Sequence, residues 1–358
     1  MTTPRDSDPI LVGVGQSTVR SENPEEGMEP LEMMALAARK AEEDAEAKKL
    51  LSRVDSVRVV NIISWRYPDP AGLLAERVGA SPRERLYTTI GGNSPQWLVN
   101  ETAEKIARGE VGIALLAGAE AFDTVRRAQQ RGATLPWTPA GERPPMVGES
   151  RRGIRDVEIQ HGAAQAYAIY ALFENALRAA KGRTIEEHQQ RLGRLCASFA
   201  RVAADNPYAW FRDGKSAERI ATVSEDNRLV GFPYTKYMNA ILNVDQTAAI
   251  LMTSVAEARR LGIPESKWDY VLGCADANDL WYVTDRVNYS SSPAIQRAGQ
   301  RALDAAGVMI DQIDHFDLYS CFPAAVQIAR DMLGIPEDDP RSLTVTGGLP
   351  YAGGPGNN

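Results

Sequence analysis

The most informative segment of this chain is Asp314-His315-Phe316-Asp317-Leu318-Tyr319-Ser320-Cys321-Phe322. Its apolar residues predict a short strand over Phe316–Leu318, and Pro323–Leu333 has the pattern of the helix that follows. A second predicted strand, Leu343–Val345, leads into a loop with two glycine pairs, Gly347-Gly348 and Gly353-Gly354. Alternation of strands and helices indicates an α/β fold with a parallel-rich sheet.

Composition sets broad limits on the class of protein. A chain of 358 residues with 44% hydrophobic and 24% charged residues suits a globular protein of two domains or one duplicated domain. A net charge of −7 argues against a general nucleic-acid binder, which needs a basic surface. Three cysteines predict no disulfide framework and no zinc site, and neither a signal peptide nor a membrane span is evident. We therefore expect a cytoplasmic protein without a metal ion.

The first third of the chain alternates strands and helices. The pattern predicts strands over Ile10–Gly15, Val57–Ile63, Leu86–Ile90 and Val111–Ala117, and helices over Pro30–Leu51, Ala71–Val78 and from Ser94 to about Arg108. Gly13 and Gly15 lie at the end of the first predicted strand, but no third glycine and no immediate helix follow them. A dinucleotide site is therefore not predicted there.

The middle and the end of the chain differ in pattern. Polar residues and two long predicted helices, Ala163–Lys181 and Ile185–Ala204, fill the segment 122–231, in which we interpret Tyr167, Tyr170 and Phe173 as core packing. The alternation resumes at Phe232. There it predicts helices over Ala248–Arg260, Ser292–Ala306 and Pro323–Leu333, and strands over Trp268–Ala275, Phe316–Leu318 and Leu343–Val345.

Several motifs, in this order, resemble the thiolase superfamily, in particular its sterol-carrier-type branch. They are Gly118-Ala119-Glu120-Ala121, Asn243-Val244-Asp245-Gln246-Thr247-Ala248-Ala249, Leu261-Gly262-Ile263-Pro264, Tyr319-Ser320-Cys321-Phe322 and the closing glycine loop. The resemblance implies a thiolase-like fold, layered α/β/α/β/α, with two similar βα halves at 1–121 and 232–358. A helical loop excursion at 122–231 would cover the active-site face. Because the second half stops inside the glycine loop, we expect the chain to be a fragment or to be completed by another segment.

The resemblance also implies where catalytic residues belong. Thiolases use a cysteine at the start of a helix and two histidines, and here Gly92, Tyr319 and Gly354 stand at those positions. We interpret His188 as part of a solvated helix face, and no histidine of the chain occupies a catalytic position. The catalytic candidates are therefore Ser94, Tyr319 and Cys321. For Ser94, the alternative is that it or Asn93 caps the helix, with Pro95 in the first turn.

The predicted substrate-binding residues lie in two turns. They are Gly92 and Asn93, just before the helix predicted to begin at Ser94, and Tyr351, Gly353 and Gly354 in the closing loop. Backbone N–H groups at glycines can approach and hold a thioester oxygen, although a plain turn has the same composition.

Three functions follow from the resemblance. The first is a thiolase-like acyl-CoA protein of lipid or sterol metabolism, of the acetyl-CoA acetyltransferase type. The second is a retro-aldolase that uses Tyr319 and acts with a small OB-fold partner. The third is a non-catalytic acyl-CoA or lipid-binding protein. In each case coenzyme A thioester is substrate or ligand, no further cofactor is expected, and thiolases suggest a homo-oligomer.

Overall fold

The computed structural model describes residues 4–356, which divide into two compact units. Unit 1 comprises the described parts of Met1–Ser150, Leu242–Leu272 and Pro355–Asn358, and unit 2 comprises Arg151–Ile241 and Gly273–Gly354. The α/β class expected from the sequence is confirmed. The division at 1–121, 122–231 and 232–358 stays a prediction.

Unit 1 is built on a six-stranded mixed sheet. Its strands are β1 (Pro9–Thr18), β2 (Ser56–Val59), β3 (Glu84–Tyr87), β4 (Ile113–Ala121), β7 (Asp245–Ser254) and β8 (Asp269–Tyr270), in the order β3-β2-β4-β7-β1-β8. Its helices are α1 (Pro30–Asp44), α2 (Pro70–Val78), α3 (Ser94–Ala107), α4 (Phe122–Arg131) and α9 (Val255–Leu261). Only β2 pairs in parallel, with β3 and β4, so the rest of the sheet is antiparallel.

The centre of the sheet corrects one prediction. Residues 245–254 form strand β7, and helix α9 begins only at Val255, so the helix predicted over Ala248–Arg260 is wrong for its first half. Alanines favour helices locally, but β7 lies between β4 and β1 and exchanges ladder hydrogen bonds with both. Every residue of β4 is buried, as expected for a central strand.

Gly13 and Gly15 serve helix packing in unit 1. A Cβ at Gly13 would lie 2.1 Å from the Ala41 carbonyl oxygen, and one at Gly15 would lie 2.0 Å from that of Ala37. The two glycines therefore let the buried alanine face of α1 pack directly on β1.

Unit 2 is mainly helical. It contains α5 (Asp156–Gln160), α6 (Ala166–Ala180), α7 (Ile185–Asp205), α8 (Ala217–Ala221), α10 (Pro293–Ala306) and α11 (Pro323–Met332), with the short strands β5 (Leu229–Gly231) and β6 (Tyr234–Thr235). The prediction of two long helices is confirmed by α6 and α7. Helix α7 begins at a capping box in which Thr184 and Glu187 bond each other's backbone N–H groups.

The strands predicted over Phe316–Leu318 and Leu343–Val345 do not form as regular strands. One backbone hydrogen bond, from Leu318 N to the Leu343 carbonyl at 2.9 Å, keeps the two segments side by side. Next to this bond the two segments are joined by a side chain instead: the Asp317 carboxylate accepts hydrogen bonds from the Thr344 hydroxyl and the Val345 N–H. The predicted strand Trp268–Ala275 is reduced to β8.

Two features are absent from residues 4–356 of this protein. No helix in this part of the chain is long and apolar enough to cross a membrane. In the same residues, no group of three or more His, Cys, Asp or Glu side chains has a metal-binding arrangement.

Candidate functional site

Tyr319 and Cys321 lie where an extended segment of unit 2 enters helix α11. Phe322 is the extended N-cap residue and Pro323 occupies the first turn, so residues 319–321 are held just before the helix. The side chains differ in exposure: Tyr319 is 50% exposed, whereas Cys321 is buried. A ligand can therefore reach the Tyr319 ring but not the thiol behind it.

Two tyrosine hydroxyls flank the Cys321 thiol. The side chains of Tyr170 of α6 and of Tyr319 both interact with the sulfur, and the Tyr170 ring stacks on Phe322 at 4.5 Å between centroids. We call Tyr170, Tyr319 and Cys321 the tyrosine–thiol cluster. From the sequence, Tyr170 is interpreted as a packing residue only. The i, i+3 spacing of Tyr167 and Tyr170 shows that both lie on one face of the helix. It does not show which of the two hydroxyls contacts a polar partner.

Burial governs the protonation of this cluster. Burial raises the pKa of Cys321 to about 11, although hydrogen bonds from Tyr170 and Tyr319 act in the opposite direction. Burial also raises the pKa of the Tyr319 hydroxyl, as does the neighbouring Cys321. At neutral pH the thiol and the phenol are both protonated. Cys321 is therefore a poor nucleophile, and Tyr319 is a proton donor.

The glycine loop is fixed to the residue before Cys321. The Ser320 hydroxyl accepts a hydrogen bond from Leu349 N at 2.9 Å. Gly348 adopts φ +71°, and a Cβ there would lie 2.8 Å from the Ser320 oxygen and 2.5 Å from the Phe199 ring. Only glycine fits this contact, so the loop's close approach to the cluster depends on it.

The far end of the loop is held by buried contacts. Tyr351 is 1% exposed, and its hydroxyl donates to the Tyr237 carbonyl at 3.0 Å and also lies against the Cys196 thiol. Gly354 N donates to the Ile241 carbonyl at 2.9 Å, while Gly353 is buried with φ +130°. Tyr351 and Gly354 thus already have partners inside unit 2. A substrate-binding role for Tyr351, Gly353 and Gly354 stays a prediction.

Ser94 lies in unit 1 at the start of α3. Its hydroxyl is buried and donates to the Thr89 carbonyl at 3.3 Å, with no carboxylate, imidazole or amine partner among the described residues. Pro95 is in the first turn as predicted, but Asn93 makes no side-chain capping bond, so the predicted cap is not formed. Asn93 and Gly92 are exposed. Without an adjacent base, Ser94 is not activated as a nucleophile.

The histidines have structural or surface positions. His188 is buried, contrary to the expected solvated face, and its Nε2 lies 2.6 Å from Glu174 Oε1. Glu174, fully buried, also accepts from the Tyr234 hydroxyl at 2.9 Å and from Gln327 Nε2 at 2.7 Å. This polar network ties α6, α7 and α11 together. His161 and His315 are exposed.

Glu120, which the sequence placed in a family motif only, is a buried carboxyl of unit 1. It is fully buried at the end of β4 and accepts hydrogen bonds from Ile63 N and Ser64 N, each at 2.7 Å. Burial raises the pKa of Glu120 to about 7, against the opposing effect of those hydrogen bonds. A Cβ at Gly356 would lie 2.7 Å from its carboxylate.

Comparison with solved structures identifies the family. A monomeric SCP2-thiolase-like protein type 1 from Mycobacterium smegmatis is 35% identical, with a TM-score of 0.83, over 99% of this chain and 70% of that one. The Ltp2–ChsH2(DUF35) aldolase matches with a TM-score of 0.72 at 16% identity, over 97% of this chain and 86% of that one. Acetyl-CoA acetyltransferase from Syntrophomonas wolfei matches with a TM-score of 0.63 at 14% identity, over 98% and 90%. Neither a scan against protein-family models nor a search of curated proteins gives a match.

These matches confirm the thiolase-like α/β fold expected from the sequence. The chain belongs to the thiolase superfamily, and within it to the SCP2-thiolase-like proteins. The other two matches, below 20% identity, support the fold alone.

Proposed function

We propose that this protein binds acyl-CoA thioesters of lipid metabolism and cleaves a carbon–carbon bond in them by a retro-aldol reaction through Tyr319. The observation that carries the proposal is the tyrosine–thiol cluster: a half-exposed, protonated phenol stands in front of a buried thiol whose pKa burial raises to about 11. Acyl transfer by the usual route needs a thiolate nucleophile. Proton transfer needs only the phenol.

The reaction balances with Tyr319 as a proton shuttle. In a β-hydroxyacyl-CoA, the bond between the α- and β-carbons breaks and its electron pair passes to the thioester enolate. The β-hydroxyl loses its proton and becomes the carbonyl of an aldehyde or ketone. Tyr319 takes that proton as it gives its own to the α-carbon, so the phenol ends the cycle protonated. Cys321 is a positioning residue, because its thiol lies against the Tyr319 hydroxyl inside the cluster.

Partner and location belong to the same proposal. The matched Ltp2–ChsH2(DUF35) aldolase joins a second protein, and we propose that a small OB-fold partner likewise completes the active assembly of this chain, in the cytoplasm. The M. smegmatis relative is monomeric, whereas thiolases in general suggest a homo-oligomer. Light scattering on the purified chain distinguishes the two states.

The test separates binding from cleavage. Calorimetry with an acyl-CoA on the chain alone measures binding. Mass spectrometry of a β-hydroxyacyl-CoA incubated with the chain and its co-purified partner measures formation of the shortened acyl-CoA and the carbonyl product. Tyr319→Phe should lower cleavage by about a hundredfold or more and leave binding intact. Tyr282→Phe is the matched control, because the Tyr282 ring packs against the Arg155 guanidinium and is not part of the tyrosine–thiol cluster.

Other outcomes point to the alternative functions. Thiolysis of acetoacetyl-CoA above the buffer rate, abolished in Cys321→Ala, would replace the retro-aldolase with an acyltransferase. Binding without cleavage, in the presence of the partner, would leave a non-catalytic acyl-CoA-binding protein. Equal cleavage by Tyr319→Phe and the unmodified chain would refute the role of the phenol.

A further inference from the structure

A cleft of about 600 Å³ in unit 2 is lined by five arginines. It lies between helix α7 and the segment that follows α11, and it shares no residue with the tyrosine–thiol cluster. The arginines are Arg191, Arg194, Arg201, Arg330 and Arg341, against two carboxylates, Glu337 and Asp339. The volume is that of a small-molecule site.

Helix α7 presents three of these arginines on one face. Arg191, Arg194 and Arg201, with Ser198 between them, follow i, i+3, i+7 and i+10 spacing, which spans about 15 Å of helix. The opposite face cannot reach the cleft, because its apolar side chains form the core of unit 2. The three guanidinium groups are therefore held on the same face of α7 although their positive charges repel one another.

The two carboxylates of the cleft are already engaged. Burial alone would raise the pKa of Glu337, but hydrogen bonds and charges from Arg183, Arg330 and Arg191 lower it, and Arg191 lies 2.5 Å away. A paired hydrogen bond from Arg341 lowers the pKa of Asp339 to about 2.

Arg194 and Arg201 have no such partner. Neither guanidinium makes a hydrogen bond or an ion pair with any described residue, and both side chains are exposed on the wall of the cleft. Leu195 and Val202, which follow these two arginines in sequence, also line the cleft and supply an apolar surface. The cleft thus combines an unneutralised positive wall with room for a flat or apolar group.

We propose that this cleft binds a diphosphate group, carried by a nucleotide or present as free pyrophosphate. The planar guanidinium fork matches phosphate oxygens in pairs, and two uncommitted arginines on one helix face provide two such forks. Arg330, nearly buried and held by Asp331 at 2.8 Å, forms a fixed third charge opposite them. The bound anion relieves the repulsion along α7.

The experiment uses pyrophosphate and ADP as probes in isothermal titration calorimetry on the whole chain. The double variant Arg194→Gln/Arg201→Gln should weaken binding of both probes at least tenfold. The matched control, Arg297→Gln/Arg301→Gln, removes the same charge from exposed positions on α10, outside the cleft, and should stay within twofold. Ser198→Asp, which adds a negative charge to the α7 face, should also weaken binding.

The outcomes decide both the site and the source of the phosphate. ADP binding at least tenfold tighter than pyrophosphate identifies a nucleotide, and equal affinity identifies the free anion. Unchanged thermal midpoints show that the variants fold. No measurable binding of either probe at about millimolar concentration, or equal losses in the cleft and control variants, would overturn the proposal. So would unchanged affinity in Ser198→Asp.

Discussion

Glu120→Gln should change how the stability of unit 1 depends on pH. Burial gives the Glu120 carboxyl a pKa of about 7 in the folded chain, against an ordinary value of 4.5. The folded state therefore holds this proton more tightly than the unfolded state, so stability falls as pH rises from 4.5 towards 7 and levels off above it. Glutamine keeps the shape and does not titrate.

The size of the effect follows from the two pKa values. A rise from 4.5 to about 7 corresponds to about 3.4 kcal/mol when the carboxyl is ionised in both states. About 2.5 kcal/mol of it develops between roughly pH 5 and pH 8, because ionisation of the unfolded chain has already begun at the lower pH. Relative to Glu120→Gln, the unmodified chain should lose this amount over that interval.

The assay is urea unfolding followed by tryptophan fluorescence at a series of pH values. The difference in free energy of unfolding between the two chains isolates Glu120, since all other titrating groups are common to both. A Glu76→Gln variant on the exposed surface of α2 serves as control and should show no trend. A pH-independent difference between Glu120→Gln and the unmodified chain would refute the raised pKa.

Three further predictions concern unit 2. Gly347→Ala should destabilise it by about 2–4 kcal/mol, because Gly347 has φ +105° and a Cβ would lie 2.6 Å from Ala203 Cα; unchanged urea unfolding would contradict this. Glu174→Ala should cost about 3–5 kcal/mol, since it removes the buried carboxylate that the side chains of His188, Tyr234 and Gln327 share. Tyr234 and Gln327 keep their bonds to the carbonyls of Tyr170 and Pro323, but His188 Nε2 keeps no other partner among the described residues. A loss below about 1 kcal/mol would show that water replaces the carboxylate. Cys196 and Cys321, with pKa values raised to about 12 and 11, should react with iodoacetamide at about neutral pH at least a hundredfold more slowly than in urea; equal rates would mean that the thiols are accessible and ionised.

Local patterns account for the parts of the fold that the sequence predicted well. Helices α6 and α7 have long amphipathic repeats and, for α7, a capping box, so neither needs distant contacts to be recognised. Strand β7 was missed in part because an alanine-rich apolar run fits both a helix and a central strand. Its pairing with β1 and β4, distant in sequence, decides between them.

The candidate site was predictable only in outline. The motif before α11 identified Tyr319 and Cys321 as candidates, because positions within a family motif are recognised from the order of residues along the chain. It could not show that Tyr170 of α6 reaches the same sulfur. The prediction that His188 lies on a solvated helix face is wrong for a similar reason. Its charged neighbours in sequence suggest exposure to solvent, but Glu174 on another helix provides a buried partner.

The residues alone were enough to predict the α/β class, the resemblance to thiolases and, through that resemblance, the lack of histidine at the positions where thiolases carry catalytic ones. These depend on periodicity, motif order and residue identity, which are properties of the chain alone. Three features became visible only in the folded chain: Cys321 stays a thiol between two tyrosines, Glu120 is buried, and arginines of α7, of α11 and of the segment after it meet in one cleft. Burial and pairing set protonation and charge, and both arise only when segments far apart in sequence pack together.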